Sequence, residues 1–422
     1  MWINGGTIFD PSSGTARVGD IQVKDGLIEG VHPGGAGGAR AGAVDAKGLW
    51  VLPGLIDMHV HLRDPGFEYK EDIVSGSRAA AAGGVTAMAC MPNTDPVNDN
   101  PSVTRYIVQK AAERALVRVL PVGALTKGLK GTELAEMGLM KEAGIVAVSD
   151  DGKSVESAAM MRRALEYAAT FGLPVITHCQ DRGLSGEGVM NEGALSSRLG
   201  LGGIPAACED VVVARDVLLS GYTGVPVHIT HLSTKTGLDI VRQARKSGVK
   251  VTCDATPHHL LLTEERTGGY DTDAKMYPPL RTEEDRRALV KGLKSGVIDC
   301  IATDHAPHAK DEKDLDFDLA PFGIIGLQTL LPALMLLHRE HALDFMDLLK
   351  KVTVNPAGIL KVEGGTLSPG ARADIVLFDP GKEWVLNEGA VLSKSKNTPF
   401  LGMKFTGMVV RTIVAGRTVF AA

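Results

Sequence analysis

Four histidines and two aspartates in this chain are spaced as metal ligands could be. His59 and His61 form a His-x-His pair at the end of the apolar run 50–61. A spacing of two on an extended segment puts both imidazoles on one face. Asp151 closes the run 144–151, His178 lies in LPVITHCQ, His231 in PVHITHLS and Asp304 in GVIDCIATDHAPH. Each residue alone has a plain alternative. A single histidine near a strand end is more often a hydrogen-bonded structural residue than a ligand. Asp150 and Asp151 could together cap the helix that follows them, and ATDHAPH could be a turn. His228 is offset from His231 within its run and reads as structural. Coincidence decides for a metal, because the six donors recur at the same end of five apolar runs. Four neutral imidazoles and two carboxylates exceed one tetrahedral zinc site. They suit two ions sharing a bridging carboxylate and a bridging water, with Zn²⁺ favoured by donor type and Mn²⁺ or Co²⁺ as alternatives. A carboxylate beside such a water, as Asp304 would be, can take its proton and return it.

The elements that would position these donors follow from the pattern around them. The runs 50–61, 84–93, 117–125, 144–151, 173–180, 226–233, 249–259 and 296–308 are short and rich in Val, Ile, Ala or Thr. They read as eight strands buried on both faces. Amphipathic stretches lie between them. Residues 156–172 carry Met160, Ala164, Tyr167 and Ala168 near helical spacing and stop at Gly172 with Pro174 beyond. Others end at Gly221, Gly248 and Gly296. Helix, glycine and buried strand in repetition imply a parallel sheet. Eight strands without a G-x-G-x-x-G or a P-loop favour a closed (β/α)8 TIM-like barrel over an open doubly wound sheet. In such a barrel the C-terminal strand ends share one mouth, where the six donors would meet. The two ends of the chain alternate apolar and polar residues between turns, as antiparallel strands do. They predict a small β-sandwich domain built from both termini, residues 1–50 and 365–422, around a catalytic barrel at 51–364. Residues 362–374 are the expected linker.

Composition narrows the function. The chain has 422 residues with 45 Lys and Arg against 50 Asp and Glu, a net charge of -5. That balance argues against nucleic-acid binding. No uninterrupted apolar run approaches the length of a membrane span, and the N-terminus shows no secretory leader. Cys90, Cys179, Cys208, Cys253 and Cys300 are odd in number and widely separated. They read as structural thiols of a cytoplasmic protein, not as a disulfide framework.

The segments VLPGLIDMHVHLRDPG, GGVTAMACMPNTDP, VSDDG, ITHCQD, HITHLST, DATPHHLLLT, MYPPLR, ATDHAPH and APFGIIGLQT together resemble the amidohydrolase superfamily. Within it they resemble the dihydroorotases of the bacterial type I class, over essentially the whole chain. The resemblance implies a reversible cyclisation of N-carbamoyl-L-aspartate to L-dihydroorotate in pyrimidine synthesis, carried by a metal-bridging hydroxide with Asp304 as proton shuttle. It assigns one zinc to His59, His61 and Asp304, the second to His178 and His231, and the bridge to Asp151. Many relatives bridge with a carbamylated lysine instead. It also implies that Arg63, Asn93 and His308 meet the substrate carboxylate, and that His61, Phe322 and Gly323 contact the substrate. Arg63 suits this chemically, since a guanidinium offers a planar fork to a carboxylate. Tyr277 stands where the family usually has asparagine, and Gln328 where glutamate is common. A homodimer and an association with aspartate transcarbamoylase are further implications.

Two other readings compete. A hydantoinase, dihydropyrimidinase or allantoinase would share the barrel and the His-x-His, but would carry lysine at the Asp151 position and has no use for the Arg63, Asn93 and His308 set. A non-catalytic scaffold for aspartate transcarbamoylase would have lost metal ligands, whereas all six positions are intact here. The charged run 309–318 reads most simply as a solvated loop, with a lid as the alternative.

Overall fold

The computed structural model describes residues 1–38, 42–341 and 343–422. Eight parallel strands follow the chain in spatial order: Leu55–Val60, Val85–Cys90, Arg118–Gly123, Ala147–Val148, Val175–Thr177, Val227–Ile229, Val251–Ala255 and Cys300–Ile301. Helices return the chain between them, among them Ile73–Ala82, Pro101–Arg114, Ala158–Thr170, Ala207–Thr223, Lys235–Lys246 and Glu283–Lys294. This is the expected (β/α)8 architecture. Ile56, Ala87, Ala147, Ile176 and Ala302 form an apolar floor, closed by Ala357 and Leu360 of the helix Val354–Leu360. His178 and Asp304 follow Ile176 and Ala302 by two residues, the period that keeps side chains on one face. These two donors therefore stand directly above this floor.

The last strand is too short to close the barrel by ladder pairing alone, so side chains complete the seam. His61 donates its backbone N–H to the His305 carbonyl at 2.8 Å, beside a parallel bridge between Val60 and His305. The buried Asp57 carboxylate accepts from the Thr303 backbone N–H at 3.1 Å, from the Thr303 hydroxyl, and from the His59 N–H at 3.3 Å. One aspartate thus ties the strand carrying His59 to the segment carrying Asp304.

The two termini form one sheet of eight strands, including Trp2–Asp10, Thr15–Lys24, Leu27–Pro33, Ile375–Val385, Lys404–Val414 and Arg417–Ala421. Its core contains Ile3, Ile8, Ile21, Ile28, Val51, Ile375, Leu377 and Ile413. The run 50–61 is not one barrel strand. Trp50–Pro53 pairs with Trp2–Asp10 and Ile375–Val385 in the terminal sheet, and only Leu55–Val60 enters the barrel. The break is at Gly54, where a Cβ would lie 2.1 Å from Thr86 Oγ1, so only glycine lets the backbone pass.

Two helix boundaries also differ from the sequence reading. The helix Ala158–Thr170 is capped by Ser157, which accepts from the Met160 N–H. Asp150 instead accepts from the Leu125 and Thr126 N–H groups at 2.8 and 2.9 Å, and Asp151 is left for the barrel mouth. The helix Ala207–Thr223 runs through Gly221 and stops at Gly224, which is left-handed with φ 71°. Gly221 is a close-packing residue, because a Cβ there would come within 3.2 Å of Val249. Among the described residues no helix is long and apolar enough to cross a membrane, and all five cysteines are buried and free.

The seam generates a stability prediction. Asp57→Ala leaves two buried N–H groups and a hydroxyl without an acceptor and should lower unfolding stability by about 3 kcal/mol. A shift in denaturation midpoint smaller than a third of that would show that the seam does not depend on this carboxylate.

Candidate metal centre

All six predicted donors meet at the C-terminal mouth, and all six are buried. His59 Nε2 lies 3.3 Å from Asp151 Oδ1 and 3.4 Å from Asp304 Oδ1. His61 Nε2 is 3.0 Å from the same Asp304 oxygen and 3.4 Å from Asp151 Oδ2. On the other side, His178 Nδ1 and His231 Nε2 are 3.0 Å apart and lie 3.6 and 3.5 Å from Asp151 Oδ1. Asp151 thus lies within 3.6 Å of a histidine nitrogen on each side. His228 lies outside this cluster, bonded to Thr252 and Asp254.

The residues present fit a metal. Two ligands each about 2.1 Å from a tetrahedral ion sit roughly 3.4 Å apart, the spacing found here. His59 Nε2 and Asp151 Oδ1 are buried atoms with no hydrogen-bond partner, which a native interior rarely tolerates. The electrostatics agree. Burial pulls the His59 imidazole down, yet the Asp151 and Asp304 carboxylates outweigh it and lift His59 to about 10. Asp151 in turn is pushed up by burial but held well below the ordinary carboxylate range, chiefly by His59. A protonated imidazole here stands in for positive charge that a cation would supply. Three overlapping donor groups satisfy ligand spacing: His59, His61 and Asp151; His59, His231 and Asp304; Asp151, His178 and His231.

Three of the imidazoles are oriented through their other nitrogen. His59 Nδ1 meets Thr230 Oγ1 at 2.8 Å, His61 Nδ1 meets Asn93 Oδ1 at 2.8 Å, and His178 Nε2 meets Gln180 Oε1 at 3.1 Å. Thr230 donates its hydroxyl proton to Asp254 Oδ2 at 2.9 Å, so it accepts from His59 Nδ1–H and keeps Nε2 as the nitrogen that would offer its lone pair to a cation. Asp254 also accepts from the His231 backbone N–H at 2.7 Å. One buried carboxylate therefore steadies a ligand from each side. His231 and Asp304 have left-handed backbones, φ 38° and 47°, and so does Arg63 at 60°. Non-glycine residues in that region cost of order 1–3 kcal/mol each and are held there by their surroundings.

A cavity of about 420 Å³ opens over the cluster. Arg63, Asn93, Tyr277, His308 and Phe322 line it together with His61, Asp151, His178, His231 and Asp304. Arg63 Nε donates to the Pro307 carbonyl at 3.2 Å, and its outer nitrogen lies 3.4 Å from His308 Nε2. Burial, then Arg63 and Lys70, keep the His308 imidazole neutral far below its usual value. Gly323 is not on the cavity wall. Its N–H donates to the Lys275 carbonyl at 2.9 Å and its carbonyl accepts from Asn397 at 2.9 Å, so its backbone is already engaged. The run 309–318 is not simply solvated either, because Lys313 and Phe317 are buried.

Sequence reasoning missed Thr230, Gln180 and Asp254, and gave Asn93 only a substrate role. The one available signal was Asp254, a charged residue inside an apolar run. Thr230→Val should keep the fold but weaken metal retention roughly 10- to 100-fold, with Thr230→Ser near wild type. Chelator competition measures this; equal retention in the valine variant would remove Thr230 from the support of the site.

Comparison with known proteins places this geometry. The family model described as "Dihydro-orotase-like" matches residues 48–237, and that of the "Amidohydrolase family" matches 324–420. The chain is 55% identical to a dihydroorotase of Geotalea daltonii, over 99% of each chain. It is 57% identical to a dihydroorotase of Geobacter sulfurreducens, again over 99% of each. Among solved structures, an L-hydantoinase (dihydropyrimidinase) from Arthrobacter aurescens superposes with a TM-score of 0.88 at 24% identity, covering 99% of this chain and 95% of that one. The latter likeness concerns the fold alone. With full-length identity above half and a buried His and Asp cluster at the barrel mouth, this chain belongs to the dihydroorotase family of metal-dependent amidohydrolases.

Proposed function

We propose that the chain interconverts L-dihydroorotate and N-carbamoyl-L-aspartate in the cavity over the cluster, where His59, His61 and Asp304 would hold one zinc ion, His178 and His231 a second, and Asp151 would serve both. The observation that carries this reading is a cavity lined both by five of the six clustered donors, His59 lying beneath them, and by Arg63, Asn93 and His308. The first set suits hydrolysis of a cyclic amide, and the second suits an anionic ring. Bound metal would supply an activated water and a Lewis acid.

The side chains account for the remaining steps. The outer nitrogens of Arg63, the amide of Asn93 and neutral His308 hold the ring carboxylate. Asn93 also orients His61, so carboxylate binding and ligand geometry share one residue. In the hydrolytic direction the water oxygen bonds to the ring carbonyl carbon and the carbon–nitrogen bond breaks. Asp304 accepts the water's proton and delivers it to the departing nitrogen. Burial raises this carboxyl, but His59 and His61 hold it far below the ordinary range, so it is ionised and ready to accept at neutral pH. In the synthetic direction the same groups act in reverse.

Tyr277 packs its ring 5.7 Å from His178 and edge-on to Phe322 at 5.2 Å, with its hydroxyl 3.8 Å from Cys208 Sγ. Burial keeps the phenol neutral. It offers the substrate one hydroxyl where an asparagine would offer a paired donor and acceptor. The same reading includes a cytoplasmic homodimer that associates with aspartate transcarbamoylase, which light scattering with and without that enzyme tests.

Asp304→Asn should reduce turnover of dihydroorotate at least about 1000-fold while circular dichroism stays unchanged. Near-normal turnover would refute the shuttle. Chelator-stripped protein should lose activity and regain it on adding zinc. Dihydrouracil and allantoin, which lack the carboxylate, should be poor substrates; a preference for either would overturn the assignment. Tyr277→Asn should alter KM more than kcat, and an effect confined to kcat would remove Tyr277 from substrate binding.

A further inference from the structure

Two lysines stand deep beside the cavity without a carboxylate within ion-pair distance among the described residues. Lys275 and Lys313 are 2% and 4% exposed. Lys275 Nζ donates to the Phe317 and Asp318 carbonyls at 2.6 and 3.1 Å. It also lies 4.6 Å from the centroid of the Phe322 ring and 5.4 Å from that of Phe317. Lys313 Nζ donates to the Pro321 and Gly323 carbonyls at 2.9 and 3.3 Å. Burial pulls both ammonium groups down to about 8.

Burying a cation without an opposite charge is costly, and a methionine or leucine would fill the same space. An ammonium does what a hydrocarbon cannot: it gathers several carbonyls around one point. All four carbonyls here belong to one stretch, 317–323, at the end of the segment that leaves His308. Pro321 and Phe322 of that stretch line the cavity, and Phe322 braces Tyr277. The two ammonium groups also leave positive charge behind the wall an anion would face, with Asp318 near Lys275 and Asp273 near Lys313 acting only from beyond ion-pair distance.

We propose that Lys275 and Lys313 form a cationic clamp that positions the Pro321–Phe322 wall of the cavity and favours an anionic ligand there. They are positioning residues, acting on substrate through Phe322. The inference rests on the reading of this cavity as the dihydroorotate site.

The test uses the full-length, metal-loaded protein. Lys275→Met and Lys313→Met should each raise KM for dihydroorotate about tenfold or more while kcat stays within threefold and metal content is unchanged. Lys275→Arg, which keeps the charge and the donors, should recover much of the loss. Trypsin cleavage after Lys313, which is buried in the wild type, should accelerate in Lys275→Met. A lowered melting temperature with unchanged KM and unchanged cleavage would reduce both lysines to structural residues and overturn the clamp. Should a methionine variant fail to fold, Lys275→Gln, judged by the same KM and cleavage readouts, decides. A wild-type protein that does not turn over dihydroorotate would sink the functional reading, and the clamp would then stand or fall on the cleavage pattern alone.

Discussion

Two carboxylates and four imidazoles, all buried, converge at the floor of one cavity, and that convergence governs the rest of the molecule. Asp151 and Asp304 cannot both be ionised in such a place without nearby positive charge. In the bare protein a raised His59 supplies it in part. Even so, neither His59 Nε2 nor Asp151 Oδ1 has a hydrogen-bond partner. A cation removes both problems at once, which is why the cluster reads as a metal centre and not as an ion-pair network.

Holding six donors against each other takes more than the ligands. The barrel brings them to one mouth, but its last strand contributes too few ladder bonds to close it. Asp57 ties Thr303 to the strand of His59, so the seam of the barrel and the alignment of the centre are one interaction. Thr230 and Asp254 then set the tautomer of His59 and the backbone position of His231. Left-handed backbones at Arg63, His231 and Asp304 show the same economy, with strain concentrated where the chemistry lies.

The cavity divides its work by charge. The metal side is rich in carboxylate and imidazole. The opposite side carries Arg63, neutral His308 and, behind the wall, the ammonium groups of Lys275 and Lys313. On the proposed reading an anionic ring amide would match both halves, its carboxylate toward the cations and its scissile carbonyl toward the centre. A neutral ring would leave the cationic half unused.

How much of this is written in the chain follows from what local pattern can encode. The eight apolar runs, the glycine stops and the six donors at strand ends are features of spacing, and spacing alone gave the barrel and the membership of the cluster. The pattern could not separate Trp50–Pro53 from Leu55–Val60, because two strands of similar hydrophobicity joined by one glycine look continuous until their partners are known. Gly221 looked like a helix stop for a similar reason, since its value lies in a neighbour, Val249, that packs against it. The contact of Asn93 with His61, the engaged backbone of Gly323 and the burial of Lys313 and Phe317 within the run 309–318 arise from pairings between distant segments that no local pattern encodes. The lysines at 275 and 313 carried no signal at all, since a charged residue in a polar stretch reads as solvated. The sequence by itself determined which groups can bind and react. Only the tertiary structure decided which of their atoms face one another, because that depends on pairings between residues tens to hundreds of positions apart.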